Sequence, residues 1–446
     1  MAGEQVDLVL SGAVVLTMDR RERVLHDGAV AIRGDEIVAV GPSAELAARY
    51  RAAEWLDTPC GLLMPGLINA HTHAAMSCFR GLADDLPLMT WLQEHIFPAE
   101  AKLDGELVYQ ATLLTMAEMI RSGTTAFCDM YLFAADVARA AEQAGLRAWI
   151  GEVLYDFPSP CYGELANGFK HLEKMLGDYQ GHPRLTITVD PHAVYTCAPE
   201  LLQKLHKIAC RHDALYHIHL AETADEVADC RRRYGCHPVA HLAQLGVLDE
   251  RTVAAHGVWL EQAEIATLAA SGARVIHCPE SNMKLASGVA PLPELLAAGV
   301  PVGLGSDGAA SNNDVDLFGE MDTAAKLHKV FHRDPTVMEA ATVLGLATRG
   351  GAAALGAAQR LGSLEAGKLA DCIVVDLAKP HLTPLYHPVS QLVYAARGAD
   401  VRHSVIAGRL VMRDRQLLTI DEEQLLAEIN RRAATIGPVA CAPVNP

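Results

Sequence analysis

Between residues 64 and 305 the chain holds eight short apolar runs, most of them separated by a longer segment of helical period. The runs lie at 64–70, 124–129, 148–153, 185–190, 215–220, 252–256, 274–278 and 301–305. Apolar residues recur every three to four positions at 107–121, 137–144, 200–210 and 238–245, the spacing of one helix face. Runs that are apolar throughout suit strands buried on both faces, as in a parallel sheet covered by helices. Eight β/α units over roughly 250 residues are the signature of an α/β fold of the (β/α)₈ TIM-barrel type. A doubly wound sheet stays open at this point, because a strand count does not show closure.

The flanks read differently. Residues 1–61 carry apolar segments at 6–10, 13–17, 29–32 and 36–40, with Ser-Gly and Gly-Asp turn signals between them. Strand-like segments return at 370–375, 403–406 and 409–412. The shared character predicts one composite β-sandwich domain built from residues 1–61 and 368–420. The barrel, residues 62–367, is then inserted between its halves. An amphipathic helix over 421–432 and a Pro-rich tail to residue 446 follow.

Composition removes several function classes. Asp and Glu total 54 against 37 Lys and Arg, a formal charge of -17. No basic excess exists to neutralise phosphates, so no nucleic-acid partner is expected. Aromatic residues are 5%, too few for a base-stacking platform. The longest apolar runs, such as Cys372-Ile373-Val374-Val375, are far short of a membrane span. The opening Met1-Ala2-Gly3-Glu4-Gln5-Val6-Asp7 has no basic segment leading into a long apolar one, so no signal peptide is expected. Eleven scattered Cys without a C-x-x-C then read as reduced thiols in a cytoplasmic protein. The partner expected is a small molecule, with a homo-oligomer as the assembly. The 20 His are a first hint of metal or acid–base chemistry.

The chemistry-bearing residues cluster at the carboxyl ends of the strand runs. His71-Thr72-His73 follows the first run, and two His at i and i+2 on an extended segment point the same way. With so many His, that pair alone is equally well explained by chance. The other ends decide it: Asp190-Pro191-His192 after the fourth run, His217-Ile218-His219-Leu220-Ala221-Glu222 at the fifth, and His256 at the sixth. His277 ends the seventh, and Asp307 follows the eighth. Barrel active sites are built at this face, and a structural role would scatter His and Asp along the strands.

The stretches 64–73, 80–88, 217–223 and 277–288 resemble the amidohydrolase superfamily, most closely the 5′-methylthioadenosine/S-adenosylhomocysteine deaminases. Many amidohydrolases share the first stretch. The second, from Arg80 to Leu88, and the last, from His277 to Gly288, are more specific to this deaminase group. The resemblance covers nearly the whole chain. It implies hydrolytic removal of the 6-amino group of an adenine nucleoside, giving the inosine analogue and ammonia. It also implies metal ligation by His71, His73, His219 and Asp307. Three neutral imidazoles and a carboxylate suit one divalent metal, Zn²⁺ before Fe²⁺ or Mn²⁺. On strand five His217 and His219 share a face. His219 is chosen because it lies nearer the strand end and three residues before Glu222, which leaves His217 as a buried, hydrogen-bonded histidine.

The remaining roles follow the resemblance. Glu222 would protonate the ring nitrogen beside the reacting carbon and then shuttle that proton. Asp307 would pass a proton from water to the departing ammonia, and His256 would orient the water. Glu100 would accept both ribose hydroxyls, and His192 would contact the purine or ribose. A second metal would need a bridging Lys on strand four, and 185–190 holds none. The segment 147–190 has only Arg147 and Arg184, both at strand starts, where some family members place an Arg for the homocysteine carboxylate. That favours methylthioadenosine or adenosine over S-adenosylhomocysteine. The other reading is a sister hydrolase acting on a different heterocycle: guanine, cytosine or a chlorotriazine. Gly303-Leu304-Gly305-Ser306-Asp307-Gly308 fits G-x-G-x-x-G but sits on the eighth strand, not at the opening of a βαβ unit, so it is no dinucleotide signal.

Overall fold

In the computed structural model, which describes residues 3–437, eight parallel strands close into a barrel. They are Leu67–His73, Thr124–Tyr131, Arg147–Leu154, Leu185–Ile187 continued by Asp190–Pro191, Tyr216–Leu220, Thr252–His256, Arg274–His277, and Val302–Leu304 continued by Asp307–Gly308. Each pairs with the next in parallel register. Strands four and five meet through the bridges Val189↔Tyr216 and Ala193↔His219. Closure comes where Asp307 and Gly308 pair with Thr72 and His73. That closure excludes the doubly wound sheet.

Two barrel strands are broken where the sequence suggested continuous ones. Strand four is interrupted at Thr188–Val189, where Val189 bridges to Tyr216, and strand eight at Gly305–Ser306. The second break has a steric cause. A Cβ at Gly305 would lie 2.7 Å from the backbone oxygen of His71, so only glycine lets the eighth strand come this close to the first.

The flanking strands form one continuous eight-stranded sheet rather than two separate ones. In order along it lie Gln416–Leu417, Arg409–Arg413, Val401–Ile406, Cys372–Asp376, Tyr50–Pro65, Glu4–Leu16, Val24–Arg33 and Glu36–Pro42. Strands from both sides of the chain share one apolar cluster that includes Leu8, Leu10, Val30, Ile32, Leu63, Cys372, Val374 and Val405. The composite domain expected from both flanks is therefore present, with this cluster shared along one sheet. The segments read as two strands, 6–10 and 13–17, are a single strand, Glu4–Leu16. Gly12, taken for a turn, instead lies at an irregularity in the pairing with Tyr50–Pro65.

The helices hold closely to their sequence signals: Gly105–Arg121, Ala134–Ala144, Pro199–His212, Pro238–Leu245 and Glu422–Ala433. The last is capped by the Asp421 carboxylate, which accepts from the Gln424 amide. Residues 438–446, which include most of the expected tail, lie outside the described residues. Among the described residues no helix is long and apolar enough to cross a membrane.

Arg147 and Arg184 sit at the amino-terminal end of the barrel, away from the strand ends that carry His and Asp. Arg147 makes a two-pronged pair with Asp371, both contacts at 3.0 Å, with side chains only 5% and 3% exposed. Asp371 also accepts from the Ala407 amide, so the pair links barrel to sheet. Arg184 donates to the carbonyls of Ala141 and Leu146. Removing one partner of a buried pair leaves an uncompensated charge, typically costing about 3–5 kcal/mol. Asp371→Ala is expected to lose stability of that order in urea denaturation. A loss under about 1 kcal/mol would show that the pair does not fasten the two parts together.

Candidate active site

Four side chains from three strand ends converge at the carboxyl face of the barrel. His71 and His73 come from the first strand, His219 from the fifth and Asp307 from the eighth. Their ligand atoms all lie within 4.8 Å of one another. Asp307 Oδ1 is 3.3 Å from His71 Nε2 and 3.0 Å from His73 Nε2, and His73 Nε2 is 3.2 Å from His219 Nε2. Ligands about 2.0–2.1 Å from a tetrahedral zinc sit about 3.3 Å apart, so the spacing fits one small divalent cation. The chemistry of the donors fits as well. His71 Nε2 and Asp307 Oδ1 are buried and have no hydrogen-bond partner. Two such orphaned atoms facing each other are costly unless a cation or proton joins them.

The three rings do not titrate alike. Burial and neighbouring imidazoles push His71 and His219 well below the usual histidine range, which favours neutral rings; burial lowers His73 as well, but contact with Asp307 outweighs it and raises His73 to about 9. Burial alone would raise the Asp307 carboxyl, but the His71 and His73 rings hold it well below the usual carboxylate range. Its second oxygen accepts from Ser281 Oγ at 2.6 Å and Ser311 Oγ at 2.7 Å. The outer ring nitrogens are also tied down. His73 Nδ1 donates to the Met130 carbonyl, and His219 Nδ1 donates to the His192 carbonyl at 2.9 Å. Both bonds turn Nε2 toward the shared point.

Beside this cluster Glu222 is buried and aimed into the same pocket. Ser287 Oγ donates to its Oε1 at 3.2 Å, and His256 Nε2 lies 3.8 Å from Oε2. Burial pushes its pKa up, against His256, which lowers it. A helix-start role for Glu222 is excluded, because Thr223 caps the helix Ala224–Tyr234 with its own hydroxyl. The turn carrying Glu222 is fastened by Glu226, whose two oxygens accept from the Ala221 and Glu222 amides, each at 2.8 Å. His256 Nδ1 donates to Asn282 Oδ1 at 3.0 Å, which leaves Nε2 facing the pocket.

Glu100 and His192 line the same inner pocket, together with Glu222, His256 and Asp307. Burial raises the Glu100 carboxyl to about 7, with Tyr131 and His73 opposing. Burial lowers His192 to about 3, and its Nδ1 is bound to Thr196 Oγ1 at 2.8 Å. Trp91 lines the inner pocket and Met89 the outer mouth, while Phe79 is core. Leu88, Leu92, Phe97, Phe157, Tyr195 and Leu285 line both the pocket and a wider vestibule outside it, forming an apolar collar between them.

Sequence reasoning missed the supporting residues. Ser281, Asn282 and Ser287 fall within the 277–288 stretch, which was singled out only as a whole. Lys284 of the same stretch donates to Asp84 at 2.6 Å and so joins it to the 80–88 stretch. That two stretches about 200 positions apart stood out together was the available signal. Ser311 and Glu226 gave none.

The amidohydrolase family model matches residues 62–411. A model of the imidazolonepropionase-like composite domain of bacteria matches residues 28–53, within the amino-terminal part of the sheet. The 5-methylthioadenosine/S-adenosylhomocysteine deaminase of Syntrophobacter fumaroxidans is 56% identical over 98% of this chain and 100% of its own length. The enzyme named 5-methylthioadenosine/S-adenosylhomocysteine deaminase 1 in Syntrophus aciditrophicus is 48% identical over 99% and 100%. A crystal structure of an adenosine deaminase from Xanthomonas campestris with bound zinc superposes with a TM-score of 0.96 at 42% identity, covering 97% of this chain and 99% of that one. Barrel, composite sheet and end-to-end relatives lead to one assignment: the chain belongs to the amidohydrolase family.

Proposed function

We propose that the chain hydrolyses the 6-amino group of an adenine nucleoside to the inosine analogue and ammonia, with 5′-methylthioadenosine the preferred substrate. The observation that carries the reading is a third carboxylate, the half-buried Glu100, in one pocket with Glu222 and Asp307. A free base offers nothing for Glu100 to bind, whereas a ribose diol offers two donors to one carboxylate. The deaminase names of the 56% and 48% identical relatives support the same reading.

His71, His73, His219 and Asp307 would hold one divalent metal, with zinc the metal of choice for three imidazoles and a carboxylate. When bound, the metal supplies a water whose pKa is brought toward ~7. The chain's own groups move the remaining protons. Glu222, whose pKa burial raises, donates a proton to the ring nitrogen beside C6 and makes that carbon electrophilic. Asp307 takes one proton as the water oxygen adds to C6. His256, held by Asn282, orients the water. The C6–N bond breaks as Asp307 returns its proton to the amine, which leaves as ammonia. The remaining hydroxyl proton returns to Glu222, and both carboxyls are restored. Glu100 holds the ribose and His192 contacts the purine or ribose.

The 5′ substituent would lie toward the apolar collar. Arg147 and Arg184 are committed elsewhere, and Arg232 and Arg233 at the vestibule are both paired with Asp229. An uncharged thioether fits this wall better than an amino-acid tail. Ammonia release is therefore expected from methylthioadenosine and adenosine, less from S-adenosylhomocysteine, and none from guanine or cytosine. Chelator treatment is expected to stop turnover and Zn²⁺ to restore it. Guanine or cytosine turning over faster than every nucleoside would overturn the assignment.

A further inference from the structure

Three imidazoles face the candidate metal point, but they are not oriented alike. His73 and His219 each turn Nδ1 to a backbone carbonyl, which can only accept, so a proton sits on Nδ1 and Nε2 is the nitrogen left to face a metal. His71 Nδ1 instead lies 3.0 Å from His217 Nε2. An imidazole can donate or accept, so this contact fixes nothing until the far side of His217 is considered.

Behind His217 the groups are polar and buried. Its Nδ1 lies 3.5 Å from Cys128 Sγ and 3.7 Å from Asp190 Oδ2. Asp190 is fully buried, and neither of its oxygens has a hydrogen-bond partner. It packs against bare backbone: a Cβ at Gly151 would fall 2.0 Å from Asp190 Cγ. The sulfur, and the carboxyl just beyond hydrogen-bond reach, offer acceptors for a ring proton on that side. A neutral imidazole has only one ring proton, so the opposite nitrogen is then an acceptor.

We propose that His217 is a positioning residue that sets the tautomer of His71, accepting the His71 Nδ1 proton while its own proton sits on Nδ1, on the side of Cys128 and Asp190. The order Asp190–His217–His71 does for His71 what backbone carbonyls do for the other two imidazoles. In the opposite arrangement His217 would donate to His71 Nδ1, place a proton on His71 Nε2 and close that ligand position. The proposal rests on the reading of His71 as a metal ligand.

Two substitutions of similar size separate the hydrogen bond from packing. His217→Gln keeps an acceptor at the position of Nε2, and His217→Met does not. His217→Asn is a polar control, because its side chain is too short to reach His71. The readout is the rate at which zinc-loaded protein gives up metal to a chelator at fixed pH, with folding of each metal-free variant checked by thermal melting. The Met and Asn variants are expected to lose metal affinity by about 10–100-fold, the usual cost of removing such a partner. The Gln variant is expected to stay within about threefold of wild type. If Met does not fold, the Gln–Asn comparison carries the test. Equal metal loss from Gln and from the folded Met or Asn variant would overturn the proposal. Wild-type protein that holds no metal would overturn the metal reading beneath it, a result distinct from the first.

Discussion

Glu222→Gln keeps its fold and its metal and loses about 10²–10⁴ in turnover, the usual worth of a positioned acid or base. The amide is isosteric, and its oxygen can still accept from Ser287 Oγ, which lies 3.2 Å from Oε1 in the parent chain. The Ala221–Glu222 turn is held by Glu226 through backbone amides, so the substitution does not loosen it. What disappears is an acidic proton in a site where burial favours the protonated carboxyl. The check is kcat beside metal content on the same preparation. Turnover near wild type would remove Glu222 from proton transfer. A fall in kcat that tracks a fall in metal content would make it a structural residue of the cluster.

Glu100→Ala is expected to lower kcat/KM for methylthioadenosine by about 10²-fold or more. Hydrogen bonds to a charged group contribute about 1.5–3 kcal/mol each, and a diol makes two, so this figure allows for strong non-additivity. The control is 2′,3′-dideoxyadenosine, which carries the same base without the diol and should lose far less. The ratio of the two losses isolates the contact from general damage to a buried position. Equal losses would show that Glu100 is structural, and hydrolases of free heterocycles would gain ground.

The barrel and the His/Asp cluster were legible for the same physical reason. Strands buried on both faces must be apolar along their length, so a His or Asp at their ends stands out. His71, His73, His219 and Asp307 are such residues. The strand Tyr50–Pro65 was hidden because its first twelve residues, Tyr50 to Gly61, include Arg51, Glu54 and Asp57 and leave only three positions buried. Tyr216–Leu220 had the opposite difficulty. Two His share its inner face, so only position near the strand end separated them; the structure puts His219 at the cluster and His217 behind it. Hydroxyls and amides such as Ser281, Ser311 and Asn282 were unreadable as site residues. Their chemistry is common everywhere, and only their placement in space gives them a role.

The composite sheet has a consequence for how the molecule is made. Leu63, fully buried, pairs with Val374, about 310 positions further along the chain. At roughly 5–20 residues per second, the amino-terminal arm waits about 15–60 s on the ribosome for the strand that covers it. Through that interval Leu62, Leu63 and Met64 form an unpaired apolar edge, the kind of surface that invites pairing with another nascent chain. Biosynthesis thus passes through a stage in which the barrel strands are being added while the arm beside them stays open, and that stage is where a holdase or a low expression temperature would raise the yield of folded protein.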